Sequence, residues 1–504
     1  MSSHPRVRCT ALHSKIMSAE EAAALIQPGD NVGMSGFTGS GYPKAVPLAL
    51  AKQIMDANLS GKKFRIGVWT GASTAPELDG ALAMVDGVEL RLPYQSDPVS
   101  RKKINAGEME YIDIHLSHVA QFVRNGFLGK LNVALVEVTA IREDGSLVPS
   151  SSIGNNVTWI DTADKVILEV NSWQSEKLEG MHDIFRDQDV PHRVPIPLTQ
   201  PSDRIGSHYI QCPADKIIGI VETNSPDRNT PFSPPDEDSK RIAGHILDFL
   251  AHEVKKGRIP ENLLPLQSGV GNIANAVLMG LNEGAFENLS AYTEVIQDGM
   301  VALLKSGKLR VASATAFSLS PAAVDELNAQ MELYRTRIIL RPQEISNHPG
   351  IIRTLGCLSM NGMIEADIYG NVNSTHVMGT RIQNGIGGSG DFARNAFISF
   401  FMTPSVAKGG KISCIVPMAP HVDHTEHDVQ VIVTEQGLAD LRGLSPKQRA
   451  QQIIEKCAHP DYKPALKEYY HRALQLSPGK QTPHLLEEAF AWHLRYLRTG
   501  SMKG

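Results

Sequence analysis

Two hydrophobic periods alternate along the chain. Short, unbroken apolar runs give way to stretches in which apolar residues recur at helical spacing. Residues 31–35 read as a strand that runs into a glycine-rich turn, 36–41. Residues 64–69, 133–141, 165–170 and 216–221 are apolar and rich in β-branched residues, which predicts buried, parallel strands. Ser18-Ala-Glu-Glu21 has the form of a capping box and predicts a short helix, and Pro43 marks where a further helix begins. Beyond Thr223 the chain turns polar and proline-rich, so 224–236 reads as a linker. An amphipathic helix is expected over 237–255. A second strand series follows, at 263–267, 290–294, 337–340, 411–416 and 429–433. Ser445-Pro446 supplies an N-cap and a first-turn proline for a mostly helical C-terminal segment.

The expected architecture is therefore α/β: two related open α/β domains, 1–223 and 224–504, with a site in the cleft between them. An internal echo supports the pairing. Residues 137–150 and 365–374 each read as strand, polar glycine turn and second strand.

Composition narrows the function. A chain of 504 residues, 42% hydrophobic and 20% charged, suits two packed domains. A net charge of −5 gives no electrostatic footprint for nucleic acid. Cys9, Cys212, Cys357, Cys414 and Cys457 are scattered and lack C-x-x-C spacing, which favours a reducing, cytoplasmic setting without disulfides or zinc. Neither a signal-like apolar core nor a long apolar run is present, so no membrane span is expected.

The chemistry concentrates around Tyr292-Thr-Glu-Val-Ile-Gln-Asp-Gly-Met300. Glu294 ends an apolar run and starts a polar turn. Ser268-Gly-Val-Gly-Asn272 precedes it, and Asn384-Gly-Ile-Gly-Gly-Ser-Gly390 follows it. A carboxylate among exposed backbone N–H groups can be a nucleophile with an oxyanion hole around it. The same residues admit a dinucleotide fold, because Gly269-Val-Gly-Asn-Ile-Ala274 fits G-x-G-x-x-A and Glu294 lies 23 residues beyond Gly271. A plain structural turn is the third reading. The dinucleotide reading gives no role to the second glycine loop. That loop is no P-loop, for no Lys-Ser/Thr pair follows it. His421, His424 and His427, beside Asp423 and Glu426, lack the i, i+4 spacing of a helical metal pair, and a polar loop without metal is expected. Neither G-x-S-x-G nor H-E-x-x-H occurs. Arg228 and Glu435 are candidate carboxylate partners, or simply a solvated arginine and an ion-pair acid.

Taken together, these motifs resemble the acetyl-CoA hydrolase/transferase family, and within it the succinyl-CoA:acetate CoA-transferases. The carriers are Gly36-Phe-Thr-Gly39, Thr70-Gly-Ala-Ser73, Gln267-Ser-Gly-Val-Gly-Asn272, the Glu294 segment, Met360-Asn-Gly-Met-Ile-Glu-Ala-Asp367, Asn384-Gly-Ile-Gly-Gly-Ser-Gly-Asp-Phe392 and Val433-Thr-Glu-Gln-Gly437. The resemblance implies paired domains of the CoA-transferase type and a homodimer. It makes Glu294 the nucleophile, gives Val270 and Gly388 as backbone oxyanion donors, and puts Asn347 beside the reacting carboxylate. Ser73, Arg228 and Glu435 correspond to a carboxylate pocket. Gly269, Val270, Gly271, Asn272, Ile273, Ile364, Asn384, Gly388 and Lys408 correspond to CoA-binding positions. Coenzyme A and small carboxylic acids are the implied substrates, with no metal and no tightly bound cofactor. Transferase and hydrolase outcomes both remain open, with an NAD-dependent oxidoreductase or a non-catalytic CoA sensor as more distant readings.

Overall fold

The computed structural model of the chain describes residues 4–228, 230, 233–477 and 479–504; Asn229, Pro231 and Phe232 of the expected linker fall outside that set. Two compact units form, and neither is a continuous half of the sequence. The first comprises Met1–Phe232 with Ser290–Leu355, and the second Ser233–Leu289 with Gly356–Gly504. A cut at 223/224 therefore misplaces 290–355, the segment that carries Glu294.

The first unit is built on a mostly parallel sheet. Its strands are β1 (Asn31–Met34), β2 (Ile66–Trp69), β3 (Val88–Leu92), β4 (Glu110–Tyr111), β5 (Val133–Ile141), β6 (Leu147–Pro149), β7 (Lys165–Asn171) and β8 (Ile217–Thr223). They lie in the order β4-β3-β2-β1-β5-β7-β8, with β6 antiparallel on β5. All nine residues of β5 are buried, Glu137 and Thr139 included, as a central strand with an otherwise apolar sequence requires. The order reverses between β1 and β5, the place where open α/β sheets form ligand crevices. One apolar core packs Val32, Met34, Ile66, Val68 and Leu135 against the helix Val46–Leu59; a second, with Trp69, Trp159, Val136 and Leu168, covers the other face. That helix starts three residues beyond Pro43, with Pro47 in its first turn. The Ser18 capping box forms as read, Ser18 and Glu21 exchanging hydrogen bonds of 3.1 and 2.8 Å.

In the second unit, the amphipathic helix Glu237–Lys255 is capped by the Asp236 side chain on Ser239 N–H. Next comes β9 (Leu266–Ser268), which runs through a turn into the helix Asn272–Glu283. The chain re-enters the first unit at β10 (Leu289–Tyr292) and continues through β11 (Val295–Gln297), β12 (Leu309–Ala314), β13 (Ala316–Ser318) and β14 (Ile338–Leu340). β10, β12 and β14 are neighbours in a sheet, and β11 pairs in parallel with β13. Hydrogen bonds with the first 232 residues explain why this segment belongs there. Ile153 N–H donates to Thr315 O at 2.9 Å, and Phe317 N–H to Ser151 O at 3.2 Å. Buried Arg341 pairs with buried Asp183, and Arg124 forks onto Glu344 at 2.7 and 3.1 Å. Sequence adjacency gives no hint of these contacts.

The rest of the second unit places β15 (Leu358–Gly362) beside β9, followed by strands at Ile398–Met402, Val431–Thr434 and Gly437–Asp440, the last of these antiparallel. Residues 411–416, read as one strand, form two two-residue strands, Ile412–Ser413 and Ile415–Val416, in separate small sheets. The chain breaks at Cys414, whose N–H turns to Ser405 O at 2.9 Å. The echoed hairpins are both real: β5 with β6, and β16 (Glu365–Asp367) with β17 (Val372–Asn373). The C-terminal helices Pro446–Cys457, Lys463–Leu476 and Ala491–Thr499 complete the unit.

Candidate active site

Glu294 occupies the bend between β10 and β11. Its carbonyl accepts from Thr315 N–H at 2.9 Å, so the β11–β13 pairing fixes the backbone there. Its side chain is half-buried, and its Oε1 accepts from Asn347 Nδ2 at 2.6 Å. Phe37, Ala72, Leu116, Val295 and Ala316 form an apolar cluster beside it, with Tyr94 packed on the cluster. Burial is the larger influence on the carboxyl and the Asn347 bond opposes it, leaving the pKa raised to about 7. Near neutral pH this group is thus divided between its acid and its carboxylate form.

Asn347 ends the short helix Gln343–Ser346, all four residues of which are buried. Gln343 Nε2 donates to Leu116 O at 3.0 Å, Glu344 takes the Arg124 fork, and Tyr292 Oη donates to Ile345 O. Ser346 Oγ donates to Asn347 Oδ1 at 2.9 Å.

Of the proposed carboxylate-pocket residues, Ser73 is engaged locally: its Oγ donates to Asp79 at 3.3 Å and accepts from Ser96 N–H at 3.0 Å. Arg228 is exposed and lies 3.5 Å from Glu77, and its N–H donates to Gly39 O at 2.9 Å. Beside it runs a buried charge network that motif reading missed. Lys44 Nζ touches Glu137 at 2.5 Å and Asp227 at 3.0 Å, while Glu169 accepts the N–H groups of Lys44, Ala45 and Val46. Burial alone would lower the Lys44 ammonium pKa, but Asp227 and Glu137 more than offset it. Burial also pulls Glu137 upward, against Lys44. The one available signal was a lone lysine just after the Gly36–Gly41 turn.

The second unit holds the glycine loops. Gly271, at φ 136°, caps the helix Asn272–Glu283 in a conformation that strongly favours glycine. A cavity of about 300 Å³ is lined by Gly269, Val270, Gly271, Asn272, Ile273 and Met360, among others. Val270 is 62% exposed. A turn that leaves N–H groups at a helix start suits an anionic or carbonyl oxygen. Gly387 (φ 59°) shapes the second loop, in which buried Gly388 caps the helix Ser389–Asn395. Ser389 Oγ donates to Ile386 O at 2.8 Å and lies 3.0 Å from His424 Nε2. His424 thus braces the loop, burial lowering its pKa. Among the described residues, no group of three or more His, Cys, Asp and Glu is placed to hold a metal ion.

The remaining CoA-binding candidates are spread through this unit. Asn384 Nδ2 donates to Gly385 O at 2.8 Å, Ile364 N–H donates to Asn373 O at 2.8 Å, and exposed Lys408 sits in a turn at φ 52°. Glu435 accepts from Ser405 N–H at 2.7 Å, from Ser405 Oγ and from Gln436 Nε2 at 2.9 Å. Burial pushes its pKa up, but these donors outweigh burial and hold it below the usual glutamate value. Among the described residues, no helix is long and apolar enough to cross a membrane.

Known proteins are similar in sequence to almost the whole chain. The acetyl-CoA hydrolase/transferase N-terminal domain matches residues 1–222, and the C-terminal domain of the same family matches 325–470. The succinyl-CoA:acetate CoA-transferase of Clostridium kluyveri is 51% identical, over 99% of this chain and 92% of its own. The acetyl-CoA hydrolase of Schizosaccharomyces pombe is 46% identical over 98% of both chains. The propanoyl-CoA:succinate CoA transferase of Escherichia coli is 46% identical over 97% of this chain and 99% of its own. In fold, the chain resembles RipA from Yersinia pestis (TM-score 0.71, 23% identity, 92% and 99% covered). It also resembles a 4-hydroxybutyrate CoA-transferase from Porphyromonas gingivalis (TM-score 0.63, 22% identity, 92% and 98% covered). With both family domains matched and this extent of identity, the chain belongs to the acetyl-CoA hydrolase/transferase family of enzymes.

Proposed function

We propose that the protein exchanges CoA between succinyl-CoA and acetate through covalent intermediates on Glu294. The observation that carries this reading is Glu294 itself: a half-buried carboxyl with one positioned donor, Asn347. Its carboxylate attacks the acyl-CoA carbonyl, the C–S bond breaks, and an acyl-glutamyl anhydride and CoA thiolate result. The thiolate then attacks the glutamyl carbonyl, forming a glutamyl-CoA thioester and expelling the first acid as its carboxylate. An incoming carboxylate runs the steps in reverse. Splitting the exchange this way replaces one difficult displacement by easier ones.

Each tetrahedral intermediate carries an oxyanion, for which the reading assigns the N–H groups of Val270 and Gly388. Gly269, Gly271, Asn272, Ile273, Ile364, Asn384 and Lys408 are assigned to CoA, and Ser73, Arg228 and Glu435 to the substrate carboxylate. CoA is a substrate, no tightly bound cofactor is required, and the reading places a homodimer in the cytoplasm. The Schizosaccharomyces pombe relative supports a second outcome, hydrolysis through the same Glu294 with water as acceptor. Acceptor dependence separates the two. Thioester loss from succinyl-CoA should need acetate; loss at the full rate without acetate would establish the hydrolase instead.

A further inference from the structure

We infer that Ser346 is a positioning residue that holds the Asn347 amide with its NH2 toward Glu294, and so favours the nucleophilic carboxylate. This rests on Glu294 being the nucleophile. An asparagine side chain can present either end to a neighbour, and its surroundings select which. Here Asn347 is fully buried, and its Oδ1 faces the Ser346 hydroxyl at 2.9 Å while its Nδ2 faces Glu294 at 2.6 Å. A hydroxyl has one proton to give. The other acceptor within reach of Ser346 Oγ, Gln343 O, is more distant at 3.4 Å.

The two amide orientations correspond to two protonation states of Glu294. With Ser346 donating to Oδ1, the NH2 points to Glu294 and stabilises its carboxylate. Reversing the amide would turn Oδ1 onto Glu294, an oxygen that a carboxylate repels and to which a protonated acid donates. The shorter Ser346 bond therefore biases Glu294 toward ionisation, in opposition to burial. The platform beneath is held by hydrogen bonds on several sides. Asn347 N–H donates to Gln343 O at 3.0 Å, Ser346 N–H donates to Pro342 O at 3.0 Å, and Gln343, Glu344 and Ile345 are each tied to another segment. Amide orientation is the freedom that remains, and Ser346 weights it: the observed orientation lets the hydroxyl donate at 2.9 Å, whereas the reversed one would leave its proton the longer 3.4 Å path to Gln343 O.

The titratable group facing Glu294 is Tyr94, with Asp113 and Arg101 acting on it in turn. Burial first, then the Glu294 charge, push its pKa up to about 12, so it stays neutral over the working range. A shift in the acid limb of the pH–rate profile therefore reports Glu294.

The test measures kcat/KM against pH for succinyl-CoA plus acetate with the parent, Ser346→Ala and Ser346→Thr. We expect the acid limb of Ser346→Ala to move up by about one pH unit, an approximately fivefold loss at pH 7. The Ser346→Thr limb should stay at the parent position even if added bulk lowers its rate. A Ser346→Ala limb at the parent position, whatever its rate, would overturn the inference, as would a Ser346→Thr limb displaced as far as that of alanine. If Ser346→Ala does not fold, Ser346→Cys replaces it: the weak thiol donor should move the limb the same way by less, and an unmoved limb would overturn the inference. Mass spectrometry of the parent after acyl-CoA keeps the two levels apart. Absence of a CoA adduct on the Glu294 peptide refutes the nucleophile itself, whereas an adduct with an unmoved limb refutes only Ser346.

Discussion

The first unit carries its candidate chemistry in side chains, and the second carries it mainly in backbone. Glu294 depends on Asn347, which rests on a helix whose every residue is tied down. The glycine loops of the second unit instead open helices, Gly271 at Asn272–Glu283 and Gly388 at Ser389–Asn395, and a helix start offers main-chain N–H groups. The same contrast divides two glutamates. Burial outweighs the Asn347 bond at Glu294 and raises its pKa to about 7, whereas Ser405 and Gln436 outweigh burial at Glu435 and lower it. Identical residues thus acquire opposite properties, one suited to exchanging protonation and bonding states, the other to remaining a fixed negative charge. Side-chain sites should be sensitive to loss of a functional group, and backbone sites to the addition of any side chain.

The largest effect should follow Glu294→Ala. Turnover should fall by at least about 10³-fold with an unchanged circular dichroism spectrum, since the covalent centre is gone. Near-normal turnover would remove the first unit from the chemistry. Next comes Gly388→Val, in which a side chain is forced into a buried loop position. A fall in kcat of about 10² is expected, the usual loss when one oxyanion donor is misplaced. An unchanged kcat would dissolve the claim that this loop works through its backbone.

Smaller, and of opposite sign, are the stability effects of replacing each acid by its neutral isostere. Because the Glu294 pKa in the folded protein lies above the unfolded value, its favourable contribution is complete below about pH 4 and is lost as pH rises through 7. Glu294→Gln should therefore stabilise the protein at pH 8 by about 2 kcal/mol, with the gain vanishing at pH 4. Glu435 is lowered instead, so its contribution is present above the unfolded pKa and fades as pH falls through the folded one. Glu435→Gln should destabilise at pH 8 by about 1–2 kcal/mol. Thermal melts at both pH values read the two signs, and equal signs would erase the distinction between the glutamates.

Much of this fold was legible in the sequence where one force dominates locally. β5 is a mostly apolar, β-branched run, and the helix Glu237–Lys255 combines a cap with a clear apolar face; both were read with the ends they have. β12 and β15 were missed because interleaved small and polar residues leave short buried strands without a distinctive period, and Ile398–Met402 because a five-residue, mostly apolar run does not by itself separate strand from helix. The membership of 290–355 in the first unit was not legible at all: it depends on long-range contacts such as Arg341–Asp183 and Arg124–Glu344. At the site, Glu294 and the two glycine loops stood out because glycine spacing marks special backbone. Ser346, Gln343 and the Lys44 network did not, since a polar residue's value lies in the partner that folding brings to it.

The central claim is that Glu294 becomes covalently attached during turnover. Incubation with acyl-CoA, followed by proteolysis and mass spectrometry, tests it most directly. A CoA adduct on the peptide containing Glu294, lost on adding acetate, is predicted. An enzyme that turns over normally while that peptide stays unmodified would contradict the account.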